Sequence, residues 1–124
     1  MSRIALLCHS TNPRGGVVHA LELGQALDRL GHEAVIHAPD ASGRGFFRHP
    51  SCATRPIPAR TLPGAAGTLA LVETRVADYL RHFAEPSQRR FDVFHAQDGI
   101  SGNALATLKE EGLIGGFACL LRLN

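Results

Sequence analysis

The sequence predicts an α/β fold: a doubly wound, mostly parallel sheet of the Rossmann-like type, with helices on both faces in three α/β/α layers. Two observations support this prediction. Apolar runs that suit buried strands alternate with segments in which apolar residues recur at helical spacing. The first strand, helix and second strand also follow one another closely, as in a right-handed βαβ unit. We expect the 124 residues to form a single domain, 1–124, long enough to bury a core.

The first βαβ unit is predicted from the N-terminal third of the chain. Residues 3–9 form a mostly apolar run, which is typical of a strand buried on both faces. Helical periodicity begins at Val17 and ends before Gly31, a residue type that suits the left-handed end of a helix. Residues 33–38 form the second predicted strand, and we expect residues 39–40 to close it.

The middle of the chain is predicted to contain a long loop and an amphipathic helix. Residues 40–67 are rich in proline and arginine, and we interpret them as a loop with one short strand near residues 54–57. Residues 69–83 carry apolar side chains at helical spacing, and the Glu-Pro-Ser sequence at residues 85–87 ends this helix.

The last third of the chain is predicted to continue the alternation. Residues 92–96 suit a further strand, and a helix follows for which Ser101 is a suitable N-cap. Gly112 closes that helix. Residues 117–121 are expected to form a last strand.

Composition and charge exclude several classes of protein. A formal net charge of +2 is too small to indicate nucleic-acid binding. The three cysteines are far apart, which argues against a disulfide framework or a zinc ribbon and favours a reducing compartment. The first apolar run is too short for a signal peptide, and no run approaches the length of a membrane span. We therefore expect a soluble, cytoplasmic chain.

Residues 13–19 join the first strand to the first helix through Gly15 and Gly16. The backbone N–H groups of such a turn are unpaired, and the helix dipole adds positive charge, so the turn suits a phosphate. Alternatively, the glycines only supply a positive φ in a tight turn. A dinucleotide site with Asp40 as the ribose-binding acid is less favoured, because the turn lacks G-x-G-x-x-G and carries Arg14 instead.

A second polar cluster is expected beside this turn. In a doubly wound sheet, ligands bind beyond the carboxyl ends of the strands where the strand order reverses, and we expect strands 3–9 and 92–96 to be neighbours there. The polar residues that follow these strands are His9, Asn12, His95, Gln97 and Asp98. They are predicted to share one crevice with the glycine turn.

Each of these residues also has a structural interpretation. His95 could satisfy a backbone carbonyl, and both Asn12 and Asp98 have good turn chemistry. A metal site at His9, His95 and Asp98 is disfavoured, because the spacings of known zinc motifs are absent.

The segment 44–49 combines arginines with the adjacent aromatics Phe46 and Phe47. It could contact an acidic acceptor or an anionic membrane surface. The favoured alternative is a solvated loop with one phenylalanine folded onto the core.

Four motifs in this order resemble the N-terminal half of a group-1 (family 4) glycosyltransferase. They are residues 3–7, 13–17, 30–35 and 91–98, and the similarity spans nearly all of residues 3–113. That half resembles the first Rossmann-like domain of the GT-B fold.

The resemblance implies retaining transfer of a sugar from a nucleotide-diphosphate donor to a hydroxyl acceptor, without an obligatory metal or other cofactor. It implies that the donor phosphates lie against Gly15, Gly16 and Val17. The implied acceptor side comprises His9, Asn12, His95, Gln97 and Asp98. No catalytic residue is assigned within these 124 residues.

The sequence departs from this family in two respects. The family continues into a second domain, with the nucleotide pocket and a Glu-x7-Glu motif, and its fifth strand leads into a histidine of the reacting centre. Here residues 120–124 read Leu-Leu-Arg-Leu-Asn. We expect a truncated, frameshifted or isolated domain that is inactive alone. The alternatives are a stand-alone phosphate- or nucleotide-binding module, and self-association through the apolar residues 117–123.

Overall fold

A computed structural model, which describes residues 1–120, contains a parallel sheet flanked by helices. Within these residues the strands are β1 (Arg3–Leu7), β2 (Glu33–Asp40), β3 (Ala53–Pro58), β4 (Val93–Ala96) and β5 (Ala118–Cys119). The helices are α1 (Gly15–Arg29), α2 (Thr68–Phe83) and α3 (Gly99–Glu110), with a short 3₁₀ helix at Pro86–Arg89. The strand order is β3-β2-β1-β4-β5, and every pairing is parallel. The predicted doubly wound Rossmann-like fold is confirmed.

The helix α1 covers one face of the sheet. Alternate residues of β1 point to opposite faces, so Ile4 and Leu6 face α1. They pack against Val17 and Leu21 of the helix, and Ile36 of β2 joins the same core. This arrangement forms the first of the two outer layers that the apolar periodicity predicts.

The helices α2 and α3 cover the opposite face. Leu7 of β1 and Phe94 of β4 pack against Tyr79 and Phe83 of α2 and against Leu105 of α3. Phe83 also contacts the ring of Phe94 edge-on, with 6.0 Å between the ring centroids. The sheet is therefore the middle of three layers, as the sequence predicts.

Several strand boundaries differ from the prediction. The first strand ends at Leu7, two residues before its predicted end. The strand β2 continues through Pro39 to Asp40 and pairs there with β3, whereas its pairing with β1 ends at His37. Pro39 has no N–H to donate, but no hydrogen bond to β1 is lost, because β2 no longer pairs with β1 at this residue. At the other edge of the sheet, β5 is only two residues long, and residue 121 of the predicted last strand lies outside the described residues.

The apolar segment 117–123 is described only as far as residue 120. Phe117 and Leu120 are half-buried, whereas Ala118 and Cys119 are exposed. Phe117 packs against the core under α2 and α3. Within residues 1–120, no helix is long and apolar enough to cross a bilayer.

The basic loop after β2 is anchored on α1. Phe46 is buried in the core beneath that helix, while Phe47 is exposed. Arg48 donates hydrogen bonds to Glu22 and Gln25 of α1. The interpretation that one phenylalanine folds onto the core is confirmed.

Tyr79 links the residue after β1 to the interior of β2. Its buried hydroxyl lies 2.5 Å from the carbonyl oxygen of Cys8 and 3.0 Å from that of His37. Burial raises the pKa of the Tyr79 hydroxyl well above its usual value, so the group remains a proton donor. The hydroxyl thus holds the end of β1, where the β1–α1 loop begins, against β2.

We expect Tyr79→Phe to lower the free energy of unfolding by about 1–3 kcal/mol, because the buried carbonyl of Cys8 loses its hydrogen bond. Urea denaturation with an unchanged m-value measures this loss. Thr107→Val is the control, since it removes a surface hydroxyl that donates to the Asn103 carbonyl. Equal effects of the two variants would contradict the role given to Tyr79.

Gly24 marks the closest approach of α1 to the sheet. A Cβ at this position would lie 2.7 Å from Cys52 Sγ and 2.8 Å from Ile36 Cδ1. We expect Gly24→Ala to destabilise the protein by about 1–3 kcal/mol, despite the better helix propensity of alanine. Thermal or urea denaturation checks this.

A second substitution separates packing from other causes. Adding Cys52→Ala to Gly24→Ala removes one of the two obstructing atoms, so part of the lost stability should return. If Gly24→Ala alone proved more stable than the native protein, this account of the α1 packing would be wrong.

Candidate functional site

A cleft opens at the edge of the sheet where the strands end. It has a volume of about 790 Å³ and lies between the β1–α1 loop, the end of β2 and the helix α2. The lining residues are His9, Ser10, Thr11, Asn12, Arg14, Gly15, Gly16, Pro39, Asp40, Ala41, Ser42, Arg44, Leu71, Arg75 and Ile100. The strand order reverses at this edge, because β1 lies between β2 and β4.

Gly15 and Gly16 lie in the first turn of α1, two residues before the predicted start of the helix. Neither has a positive φ, so the interpretation that they only supply a left-handed turn is wrong. A Cβ at Gly16 would meet no protein atom within 4 Å. The packing of the described residues therefore does not require glycine at this position, and the space beside its backbone belongs to the cleft.

The N-terminus of α1 has no side-chain cap within the described part of the chain. Its N-cap residue is Arg14, whose guanidinium cannot accept a hydrogen bond. The first hydrogen bond of the helix runs from the Val18 N–H to the Arg14 carbonyl, at 2.8 Å. The three preceding N–H groups, of Gly15, Gly16 and Val17, are consequently available to an anion. The Val17 side chain is fully buried, so only its backbone can contribute.

The N-terminus of α3 is capped by Asp98, not by Ser101 as predicted. The Oδ1 atom of Asp98 accepts hydrogen bonds from the Ser101 N–H and hydroxyl, both at 2.9 Å. Ser101 is buried at the third helical position and completes a capping box with Asp98. The extended backbone of Asp98 is the conformation of an N-cap residue, which explains why the helix begins after it.

His9 and Asp98 are in direct contact. His9 Nδ1 lies 3.1 Å from Asp98 Oδ2, and this bond joins the end of β1 to the start of α3. Burial alone would raise the pKa of Asp98, but the hydrogen bonds from His9 and Ser101 outweigh it and hold the pKa below its usual value. The Asp98 carboxylate therefore orients the imidazole of His9, which lines the cleft.

His95 and Gln97 lie next to the cleft and do not line it. Gln97 is nearly fully buried, and its side-chain nitrogen lies 2.9 Å from His95 Nδ1. Among the described residues, the partner of His95 Nδ1 is thus a side-chain amide and not a backbone carbonyl. Burial lowers the pKa of His95, and electrostatic repulsion from His19 lowers it further. The structure thus brings His9 and Asp98 together and places His95 and Gln97 at the end of β4 beside them.

Asn12 is exposed on the rim of the cleft and forms a turn. Its N–H donates to Ser10 Oγ at 3.0 Å, and its carbonyl accepts from the Arg14 N–H at 2.8 Å. The interpretation of Asn12 as a turn residue is confirmed. Its side chain lies beside the start of α1.

Asp40 holds the loop after β2. Its carboxylate accepts hydrogen bonds from the Ser42 hydroxyl at 2.6 Å and from the Gly45 N–H at 2.8 Å. Burial alone would raise the pKa of Asp40, but these hydrogen bonds lower it overall. Both carboxylate oxygens thus accept hydrogen bonds from the loop. These bonds account for an aspartate at this position without a ribose ligand.

The sequence interpretation missed Arg75 and the residue that anchors it. Arg75, on α2, lines the cleft and lies 3.1 Å from Asp78, which is fully buried. The helical pattern gave no signal for this pair, because Asp78 falls among the polar positions of α2, together with Arg75 and Arg81. Asp78 is buried through a contact with Arg60, eighteen residues earlier in the chain. In the part of the chain described, no three His, Cys, Asp or Glu side chains are grouped to hold a metal ion.

Solved structures with the same fold include two glycosyltransferases. The glycotransferase of kitacinnamycin has a TM-score of 0.64 and 18% identity, over 95% of this chain and 29% of that chain. A UGT transferase from Siraitia grosvenorii, in complex with UDP, has a TM-score of 0.61 and 16% identity, over 95% of this chain and 28% of its own. This chain therefore spans less than a third of either protein.

The fold also occurs outside that class. The C-terminal domain of the PF1911 hydrogenase from Pyrococcus furiosus has a TM-score of 0.59 and 14% identity, over 98% of this chain and 91% of that domain. At such identities the likeness shows the fold alone, and no curated protein matches the chain significantly.

The family is shown by the sequence match. A family model described as a glycosyl transferase 4-like domain matches residues 14–113, which extend from the N-cap of α1 to the residues just after α3. The matched region includes the glycine turn, the anchored arginine and the Asp98 cap, and it covers most of the chain. This protein belongs to the glycosyl transferase 4-like domain family.

Proposed function

We propose that this chain is the acceptor-side domain of a retaining glycosyltransferase, which moves a sugar from a nucleotide-diphosphate donor to a hydroxyl acceptor. One observation carries the proposal: the uncapped N-terminus of α1 and the imidazole of His9 open onto one cleft. The family match supports the class of reaction, and the UDP bound to the Siraitia grosvenorii transferase supports a nucleotide donor.

The sugar donor's phosphates are assigned to the first turn of α1. Departure of a nucleoside diphosphate develops negative charge on the leaving oxygens. The N–H groups of Gly15, Gly16 and Val17 are already oriented by the helix, so they can stabilise that charge with little reorganisation. The absence of a side chain at Gly16 allows a phosphate to approach the backbone.

The acceptor hydroxyl is assigned to His9. Because its Nδ1 atom faces Asp98, its Nε2 atom remains for a ligand in the cleft. The carboxylate favours the tautomer with the proton on Nδ1, so Nε2 can accept a hydrogen bond from the attacking hydroxyl. Asn12 lies at the rim of the same cleft. His95 and Gln97 support the end of β4 from which Asp98 follows.

We further propose that sugar transfer requires parts of the glycosyltransferase that this chain does not cover, since it spans 29% and 28% of the two neighbours. In the test, the 124-residue chain is incubated with common nucleotide sugars, and hydrolysis and transfer are measured. Robust turnover by this chain would contradict the requirement.

Binding of the sugar donor is tested with UDP. The amide NMR signals of Gly15, Gly16 and Val17 should shift on titration, because UDP supplies the diphosphate. Absence of any shift at these amides, at UDP concentrations up to the millimolar range, would overturn the donor-site assignment.

We expect Gly16→Ala to weaken UDP binding by about tenfold or more, because the new methyl group occupies the space beside the amides. The free energy of unfolding should stay within about 0.5 kcal/mol of the native value, since the methyl group meets no protein atom within 4 Å. Isothermal titration and urea denaturation measure the two effects.

Gly99→Ala is the matched control. Gly99 likewise lies in the first turn of a helix and has open space around it, but Asp98 already caps that helix. UDP affinity should be unchanged in this variant. Equal losses in both variants, or none in Gly16→Ala, would contradict the donor site.

The tautomer of His9 provides a second test. At about pH 8.5, where imidazoles are neutral, we expect nitrogen NMR to show the proton on Nδ1. In Asp98→Asn, the amide oxygen can still cap α3 while the amide NH₂ group faces His9, so the proton should move to Nε2.

The exposed His49 serves as the internal control, and its tautomer should be the same in both proteins. A native His9 with its proton on Nε2 would contradict the orientation proposed for this residue.

A further inference from the structure

We propose that the acceptor carries an anionic group, a phosphate or a carboxylate, which Arg75 and Arg44 hold on the β2 side of the cleft. This inference rests on the proposed function, since it specifies the acceptor of that reaction. Both arginines line the cleft, and they come from α2 and from the loop after β2. The first turn of α1, assigned to the sugar donor, lies on a different element.

Arg75 is held in place before any ligand arrives. Its Nη1 atom lies 3.1 Å from Asp78 Oδ2 and donates to the Arg60 carbonyl at 2.8 Å. The side chain is only 13% exposed, so it has little conformational freedom to lose on binding. All its hydrogen bonds to residues 1–120 use Nη1, which leaves Nη2 and Nε as a planar fork for two oxygens.

The charge of Arg75 is not consumed by its anchor. Asp78 is fully buried and also binds Arg81, whose Nη2 lies 2.7 Å from Asp78 Oδ1. The one carboxylate therefore faces two guanidinium groups, and this trio carries one net positive charge. A positive charge fixed at the wall of a cleft attracts an anion.

Other residues of the cleft wall add to this positive electrostatic potential. Arg14, Arg44 and Arg75 line it, whereas the lining carboxylate is that of Asp40. The Asp40 oxygens already accept hydrogen bonds from its own loop, so they compete little for an arginine. Leu71 supplies an apolar surface beside Arg75 for the uncharged part of an acceptor.

The experiment compares charged and neutral sugars. The full chain, labelled for NMR of arginine side chains, is titrated with glucose 6-phosphate, with glucuronate and with glucose, each with and without saturating UDP. We expect at least one of the two anionic sugars to shift the Arg75 Nε–H signal and to bind about tenfold more tightly than glucose. The comparison of the two anions shows whether phosphate or carboxylate is preferred.

Variants assign the effect to the two arginines. Arg44→Gln removes an exposed charge whose guanidinium makes no hydrogen bond to residues 1–120, and it should weaken binding of the preferred anionic sugar by about three- to tenfold. Arg75→Lys keeps the positive charge but loses the planar pair of N–H donors, so it should weaken binding of the same sugar while the chain stays folded. Arg29→Gln, at the far end of α1, is the control and should change nothing.

The outcomes separate the two proposals. The arginines serve the sugar donor if UDP displaces the anionic sugar, or if Arg44→Gln weakens UDP binding as strongly as it weakens binding of the anionic sugar. In either case this inference is wrong, while the proposed function stands. Equal affinity for glucose and both anions also overturns it. If UDP leaves the amides of residues 15–17 unshifted, the donor assignment itself fails.

Discussion

The cleft depends on the position of β1 between β2 and β4. The chain leaves β1 toward α1 on one face of the sheet and leaves β4 toward α3 on the other. Because the two connections diverge, no backbone fills the space between them at the ends of the strands. The contact between His9 and Asp98, at 3.1 Å, spans this divergence and fixes the two loops relative to each other.

The two helices that begin near the cleft have opposite electrostatic character. The first turn of α3 is neutralised by its own residue, because Asp98 places a carboxylate against the N–H groups. The first turn of α1 begins at an arginine and two glycines, which supply neither a negative charge nor a side-chain hydrogen-bond acceptor. One helix N-terminus is thus capped by its own side chain, whereas the other has no side-chain cap among the described residues.

The fold was predictable because it depends on local patterns, whereas parts of the site depend on distant contacts. The apolar strands and helical spacing are sufficient for the sheet and its layers. The start of α3 was misassigned because Asp98 and Ser101 are both good N-cap residues. The extended backbone of Asp98, and its acceptance of a hydrogen bond from the Ser101 N–H, decide between them. Arg75 escaped notice because it reaches the cleft from a helix more than fifty residues after Gly16. Its anchor, Asp78, falls among the polar positions of α2 in the sequence, and it is buried through a contact with Arg60 that the helical pattern does not reveal.

One backbone hydrogen bond connects the two sides of the cleft. The Phe47 N–H donates to the Thr11 carbonyl at 3.0 Å, which joins the loop carrying Arg44 to the loop that leads into α1. A molecule that immobilises either loop therefore also restricts the other, and the second molecule to arrive loses less conformational entropy. Through this bond, a ligand that orders one loop favours the binding of a second ligand at the other loop, by the same free energy whichever ligand binds first.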